Sequence, residues 1–382
     1  DQQEVLIGSF SDTELHEVVD ELYIDDMVDI VEEMPANVVK RILQNSDSNT
    51  RQLINEILKY PPDSAGSIMT TEFITLHAGM TIGEAIKRIR EKGLDSETIE
   101  TCYVTDSVRH LIGFVTIRTI ILSDENAKIE DVMNRNVISV GTTEDQETVA
   151  NLFAKYDLTV LPVVDNEKRI VGIITVDDAI DVLQKEATED IEKMAAITPT
   201  DKPYLKKTTL EIWKSRIPWL LILMISATFT GMIISHFEDA LKAYAILTAY
   251  IPMLMDTGGN SGSQASVTVI RSLSLHELSF SDIFRVIWKE FRVALLCSVT
   301  LALVYFLKLI MFDGTGIYVA LVICITLILT VFVAKLVGCI LPMAAKKIGF
   351  DPAVMASPFI TTIVDAISLL IYFNIAGLVL HI

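Results

Sequence analysis

The chain is 382 residues long and 51% hydrophobic, yet 21% of it is charged, with a formal net charge of −19 and a mean hydropathy of +0.44. Charge and hydropathy must therefore be segregated: residues 1–203 hold 18 bases against 40 acids, a net −22, and residues 204–382 hold 13 bases against 10 acids, a net +3. A region at −22 argues against nucleic acid or anionic membrane as a partner and favours cations, with solubility alone as the plain alternative, and four cysteines without paired spacing (Cys102, Cys297, Cys324, Cys339) suggest no disulfide framework or zinc site.

The chain opens at Asp1 without a secretory leader, and the expectation is a longer protein trimmed at its amino end. Residues 12–60 read as short amphipathic helices. Leu15, Val18, Val19 and Leu22 form one apolar stripe, and Met27, Ile30, Val31 and Met34 the next. Beyond Pro35 come Val38, Val39, Ile42 and Leu43, then Leu53, Ile54, Ile57 and Leu58. Each helix is too short to stand alone in water, so residues 1–62 are expected to stack as an acidic helical array carrying Asp25, Asp26 and Asp29.

Residues 69–183 contain an internal repeat. Met69 to Leu76 matches Met133 to Val140, and Leu111 to Thr116 matches Ile170 to Thr175. The offset is 64 residues at the start and 59 at the end, so the first copy has five extra. Each copy reads strand, helix (Ile82–Lys92; Glu147–Tyr156), two strands joined by a turn, then a helix. Acids continue beyond it as Asp177, Asp178, Asp181, Glu186 and Asp190, and Pro199 and Pro203 mark a boundary. Tyr204 to Arg216, with Lys206, Lys207, Lys214 and Arg216, is expected to be an amphipathic helix before the membrane, either an anchor or a gating connector.

Five apolar runs follow, near 217–234, 241–255, 288–312, 317–343 and 359–380. Bases precede residue 217 and recur at 271–292 and 344–351, while 235–240 and Asp313-Gly314 have none. Basic loops stay in the cytoplasm, which puts the amino terminus inside the cell and the carboxyl terminus outside.

Two stretches in this half carry chemistry. Asp365 is the one acid in Phe359–Leu380, and a carboxylate in hydrocarbon by default faces a polar path. Thr361, Asp365 and Ser368 are spaced i, i+4, i+7 on one helical stripe. The bland alternative is an acid hydrogen-bonded to a neighbouring helix. Upstream, Asp351 precedes Pro352, which can start the helix, and Pro358 is expected to interrupt its first turns. The other stretch, Pro252 to Gln264, is too polar for lipid and too rich in glycine for an ordinary helix. It reads as a helix broken inside the membrane, with Asp256 and Asn260 on one face; a loop is the alternative.

The repeat resembles a tandem pair of cystathionine-β-synthase (CBS) domains, a regulatory module that often binds adenine nucleotides. The ribose signature of that family stands in the second copy as Gly172, Thr175 and Asp178, and the first copy has Thr119 in place of the acid. The resemblance implies at most one ATP site, on Thr175 and Asp178, and the same pair also reads as a helix cap. Met255 to Gln264, and Phe350-Asp351-Pro352 followed by Pro358 to Asp365, resemble the two membrane signatures of the MgtE magnesium channel/transporter family; Ser357 departs from a frequent asparagine. That resemblance covers essentially the whole chain. It implies a homodimer with an ion path on its axis, a hydrated ion at the aspartate aligned with Asp365, and closure at high cytoplasmic Mg2+.

The residues agree with such an ion. Mg2+ takes oxygen ligands, keeps several waters and uses one or two carboxylates, whereas a soft metal would need Cys and His clusters. The expected path residues are Asp365, Asp256, Asn260, Thr361 and Asp351, and the expected regulatory ligands are Asp25, Asp26, Asp29, Asp177, Asp178, Asp181, Glu186 and Asp190. The expected fold is an α-helical array (1–62), an α/β tandem CBS pair (63–190; copies 69–129 and 133–190), a connecting helix (191–216) and an α-helical membrane domain of five spans (217–382). A CBS-regulated divalent-cation exchanger or efflux transporter is the alternative function. An anion channel has the wrong sign of charge. A metalloprotease needs a second histidine where Asp20 follows His16-Glu17 and Phe280 follows His276-Glu277. A sensor without transport leaves the intramembrane acids without a purpose.

Overall fold

The computed structural model describes residues 6–7, 9–200, 202–355 and 357–381, and the chain divides into two compact units after Glu186. Among the described residues the first unit carries four ten-residue helices, α1 (Asp12–Glu21), α2 (Ile24–Glu33), α3 (Ala36–Asn45) and α4 (Ser48–Ile57). Their starts are written in the sequence. Ser11 and Glu14 form a capping box on α1, and the Asp47 carboxylate accepts from the Thr50 N–H at 2.6 Å on α4. The apolar stripes meet in one core of Leu15, Val19, Met27, Val28, Ile42, Ile54 and Ile57.

The repeat folds as two similar modules. The first is β1 (Phe73–His77), α5 (Ile82–Lys92), β2 (Thr98–Thr105), β3 (Leu111–Thr116) and α6 (Ile117–Leu122). After a single turn of helix, α7 (Ile129–Val132), the second is β4 (Val140–Gly141), α8 (Gln146–Tyr156), β5 (Val160–Val164), β6 (Ile170–Thr175) and α9 (Val176–Met194). In each, the first strand pairs parallel to the second and the second antiparallel to the third. That is the order the repeat predicts. A parallel pair needs a crossover, and α5 and α8 supply it. The two modules touch through Tyr103, Ile170 and Ile173.

The second unit is helical. Its long members are α10 (Thr209–His236), α12 (Ile251–Ser274), α13 (Ile283–Met311), α14 (Ile317–Lys347) and α15 (Ser357–Leu380), with the short α11 (Glu238–Ala243) after α10. Among the described residues four helical stretches are long and apolar enough to cross a membrane, Thr209–His236, Phe280–Met311, Ile317–Lys347 and Pro352–Leu380. The remaining expected span, near 241–255, is not among them: it covers the end of α11, the 3-10 turn Ala245–Tyr250 and only the first turn of α12. α14 is the central helix, with α12, α13 and α15 around it.

Three expectations are corrected here. The stretch Asp256 to Gln264 is not a broken helix: α12 runs unbroken from Ile251 to Ser274, and the irregular segment lies before it, in α11 and the 3-10 turn Ala245–Tyr250. The glycines serve packing instead of bending. A Cβ on Gly258 would stand 2.7 Å from Thr330 Cγ2 and 2.9 Å from Val364 Cγ1, and one on Gly262 would stand 2.8 Å from Ile360 Cγ2. On α14, a Cβ on Gly338 would overlap the Gly262 carbonyl. Small residues let helix backbones close up where no hydrophobic effect drives them together. Next, Tyr204 to Arg216 is not one separate helix. It is a 3-10 turn, Tyr204–Lys206, followed by the opening turns of α10, which a Thr208–Glu211 capping box starts. Lastly, Pro358 is the second residue of α15, where its missing N–H costs nothing, so it opens the helix instead of interrupting it.

Candidate functional site

The seam between α12 and α15 brings polar residues of α15 against the glycines of α12. On α15, Thr361 sits against Gly259 and Ser368 against Gly258, so the predicted i, i+4, i+7 stripe faces the glycine stretch of α12. The Ser368 hydroxyl donates to its own helix, at the Val364 carbonyl, 2.6 Å away. Asp365 lies between them, half-buried, and its Oδ1 is buried without a hydrogen-bond partner. The charge that acts on it is that of Asp256, which has the same sign. Thr330 Oγ1 on α14 and Ser266 Oγ on α12 are likewise buried without partners. Buried polar atoms are nearly always satisfied, and an unpaired carboxylate oxygen is among the costlier exceptions. Two like charges and an orphaned oxygen form a place that a hydrated cation would complete.

Asp256, Asn260 and Gln264 recur every fourth residue on the exposed face of α12. They line a groove of about 490 Å³ with Thr300 on α13 and Lys335 on α14. Lys335 and its partner Glu290 escaped the sequence reading. A lone base in the apolar run 317–343 is the same signal as the lone acid in 359–380, so Lys335 is legible by the rule that finds Asp365.

Asp351 is placed differently from the other expected path residues. It opens the 3-10 turn Pro352–Met355, where one carboxylate oxygen accepts from the Ala353 N–H at 2.8 Å. The other oxygen pairs with Lys193 Nζ at 2.6 Å, and Glu189 also pairs with that ammonium. Burial lowers the Lys193 ammonium, but the hydrogen bonds and charges of Asp351 and Glu189 together outweigh it and hold the group well above its usual range. Met194 adds an apolar contact with Ile270 and Ala353. Asp351 thus ties the last turn of α9 to the turn that precedes α15.

In the first unit, the acids of α2 and of the start of α9 converge. Burial, then the Asp178 charge, pushes Asp25 up to about 8. Burial and Asp177 raise Asp26. Asp178 rises to about 6 through burial, with Asp177 and Asp29 adding to it against a hydrogen bond from Thr175. Two further acids, missed in the sequence reading, complete the group. Burial raises Glu72, and burial with Asp178 and Asp177 raises Glu97 to about 7. Glu72 lies just before β1 and Glu97 just before β2, and β1 pairs with β2, so their nearness is a product of the sheet. Glu72 also accepts from the Ile24 N–H at 3.0 Å, at the start of α2. Asp181 is exposed, and Glu186 accepts from Gln146 at 2.9 Å. Asp190 lies beyond the division, in the second unit. Among the described residues no three of these groups are already set as a metal cage.

The expected ribose-binding pair is engaged with itself. The Thr175 hydroxyl donates to Asp178 Oδ2 at 2.5 Å, and the Thr175 N–H approaches the same oxygen at 3.3 Å, at the opening of α9. The first copy repeats this without an acid, the Thr116 and Thr119 hydroxyls standing 3.0 Å apart.

Comparison with known proteins bears on each region. A family model described as a divalent cation transporter matches residues 251–375, one for the MgtE intracellular N domain matches 1–63, and one for the CBS domain matches 65–125 and 129–185. The magnesium transporter MgtE of Thermus thermophilus is 39% identical over 94% of this chain and 80% of that protein. The magnesium transporter MgtE of Bacillus subtilis is 35% identical over 94% of this chain and 78% of its own length. Among solved structures, the cytosolic domain of the Mg2+ channel MgtE in complex with ATP is 38% identical, covers 47% of this chain and 74% of that one, and superposes with a TM-score of 0.45.

Proposed function

We propose, for a chain that belongs to the MgtE family of magnesium transporters, that it takes up Mg2+ through a path at the α12–α15 seam, with Asp365 as the central ion-binding residue. It is a transporter and not an enzyme, with cytosolic amino-terminal domains before a multi-pass membrane region. The observation that carries the path is the buried, unpartnered Oδ1 of Asp365 beside the like charge of Asp256. Mg2+ holds its water tightly, so one carboxylate, with Thr361 one turn before it on α15 and Asn260 one turn after Asp256 on α12 to meet bound water, suits an ion that crosses largely hydrated.

A second copy of the chain completes the path. Asp256, Asn260, Gln264 and Thr268 are exposed on one copy, and a stripe of that polarity cannot face lipid. The exposed Leu220, Ile225, Phe229 and Met232 of α10 supply the lipid-facing apolar surface. Basic loops at 271–292 and 344–351 support a carboxyl terminus on the outer side.

Control belongs to the acid group of the first unit. Asp25, Asp26, Asp177 and Asp178, with Glu72 and Glu97, repel one another, and Mg2+ between them relieves that repulsion. The relief favours the closed state as cytoplasmic Mg2+ rises, because an ion that prefers one state draws the population to it. ATP is a second regulatory ligand at Thr175 and Asp178, and its binding requires their mutual hydrogen bond to open.

The test is Mg2+ influx into proteoliposomes of the full chain, read by an entrapped Mg2+ indicator. Influx above protein-free vesicles is expected, and it should fall when millimolar Mg2+ is placed on the side of the first unit. No influx under any Mg2+ gradient would overturn the reading.

A further inference from the structure

Glu290 on α13 and Lys335 on α14 form a charge pair inside the apolar body of the second unit. Lys335 is 4% exposed, and its Nζ stands 3.9 Å from Glu290 Oε2, beyond hydrogen-bond reach. That oxygen is buried and has no hydrogen bond. A buried pair stabilises only where its geometry is tight and its remaining bonds are met, and this one meets neither condition. Stability therefore does not account for two charges at this depth, where an ionisable residue marks a function.

The two partners differ in where they face. Lys335 lines the groove with Asp256, Asn260, Gln264 and Thr300, and Glu290 does not. The wall thus carries two full charges, the Asp256 carboxylate and the Lys335 ammonium, of opposite sign. We propose that Lys335 is a specificity-determining residue of the transport path, a resident ammonium that weakens the groove's hold on a divalent cation. Glu290 is the positioning residue that keeps it from collapsing onto Asp256.

The physics follows from charge. A fixed unit charge repels a dication with twice the energy it exerts on a monovalent ion at the same distance, and surroundings of low dielectric strengthen both. Asp256 alone would hold Mg2+ on the wall, and conduction needs binding weak enough to release. Lys335 offsets that attraction, so Mg2+ passes the groove without being trapped. This inference rests on the Mg2+ transport reading above.

Mg2+ influx at graded external concentration separates the possibilities, with the wild-type chain and three variants in proteoliposomes. The double variant Lys335→Met/Glu290→Leu removes both charges without orphaning either partner, and apolar replacement of a buried pair is tolerated by folding. Its half-saturating Mg2+ concentration should drop about tenfold, a difference of about 1.4 kcal/mol, and its maximal rate should fall as release slows. Glu290→Gln alone frees the ammonium toward Asp256 and should raise half-saturation by about tenfold. Lys335→Arg keeps the charge, so its half-saturating concentration should stay above that of the double variant. Wild-type half-saturation in both the double variant and Glu290→Gln would reduce the pair to a structural one and overturn the inference. A wild-type chain that moves no Mg2+ would instead overturn the transport reading itself.

Discussion

Carboxylates decide the chemistry at both ends of this chain, and their surroundings set them apart. In the first unit, burial and crowding raise Asp25 to about 8, Glu97 to about 7 and Asp178 to about 6. The metal-free folded state then holds protons that the unfolded state has released above its ordinary carboxylate range near pH 4. Stability should be fullest below that range and should fall as pH rises toward 8. Thermal unfolding of the chelated protein at pH 5 and pH 8 checks this, with the lower midpoint expected at pH 8 and a rise on adding Mg2+ there. A midpoint that climbs with pH in chelator would contradict the crowding. These acids were partly legible. Asp25, Asp26, Asp177 and Asp178 stand out as charge runs, whereas Glu72 and Glu97 join them only through the pairing of β1 with β2. The bond between Lys193 and Asp351 joins residues 158 positions apart and leaves no local signal.

Among the elements, α12 separates two meanings of glycine. Its three glycines read as a break, because glycine permits bending, but they also permit close approach, and only the facing helix decides which applies. Thr361, Val364 and Ile360 on α15, with Thr330 and Ala334 on α14, fill the space a Cβ would take. Gly258→Ala should therefore overpack the seam and cost about 1–3 kcal/mol, lowering the unfolding midpoint in detergent; a neutral result would restore the loop reading. Asn260→Leu is the converse case. Asn260 is exposed on the polar face, so its replacement should leave the midpoint unchanged while cutting Mg2+ influx sharply, because the path loses a group that meets bound water. Normal influx in this variant would remove Asn260 from the path. The repeat, by contrast, was legible almost element by element, since its strands and helices carry separate periods, 2 and 3.6, with capping residues such as Thr81 and Asp145 at the helix starts.

At the scale of the whole molecule, charge is divided between a strongly acidic first half and a membrane half with few charges, each placed with a consequence. The acid group of the first unit should answer to Mg2+ collectively, because weak, screened sites add in free energy. Protease protection of residues 6–186 should rise across the millimolar Mg2+ range, and Asp26→Asn with Asp177→Asn should blunt that rise and weaken closure. Protection indifferent to Mg2+ would rule the control mechanism out. Mg2+ entry itself depends on the ion path, and Asp365→Asn probes that path at its charged centre. The substitution keeps the shape of the side chain and removes a charge whose Oδ1 has no partner, so the fold should hold or gain stability. In proteoliposomes its Mg2+ influx should drop to that of protein-free vesicles, and influx equal to wild type would contradict the account.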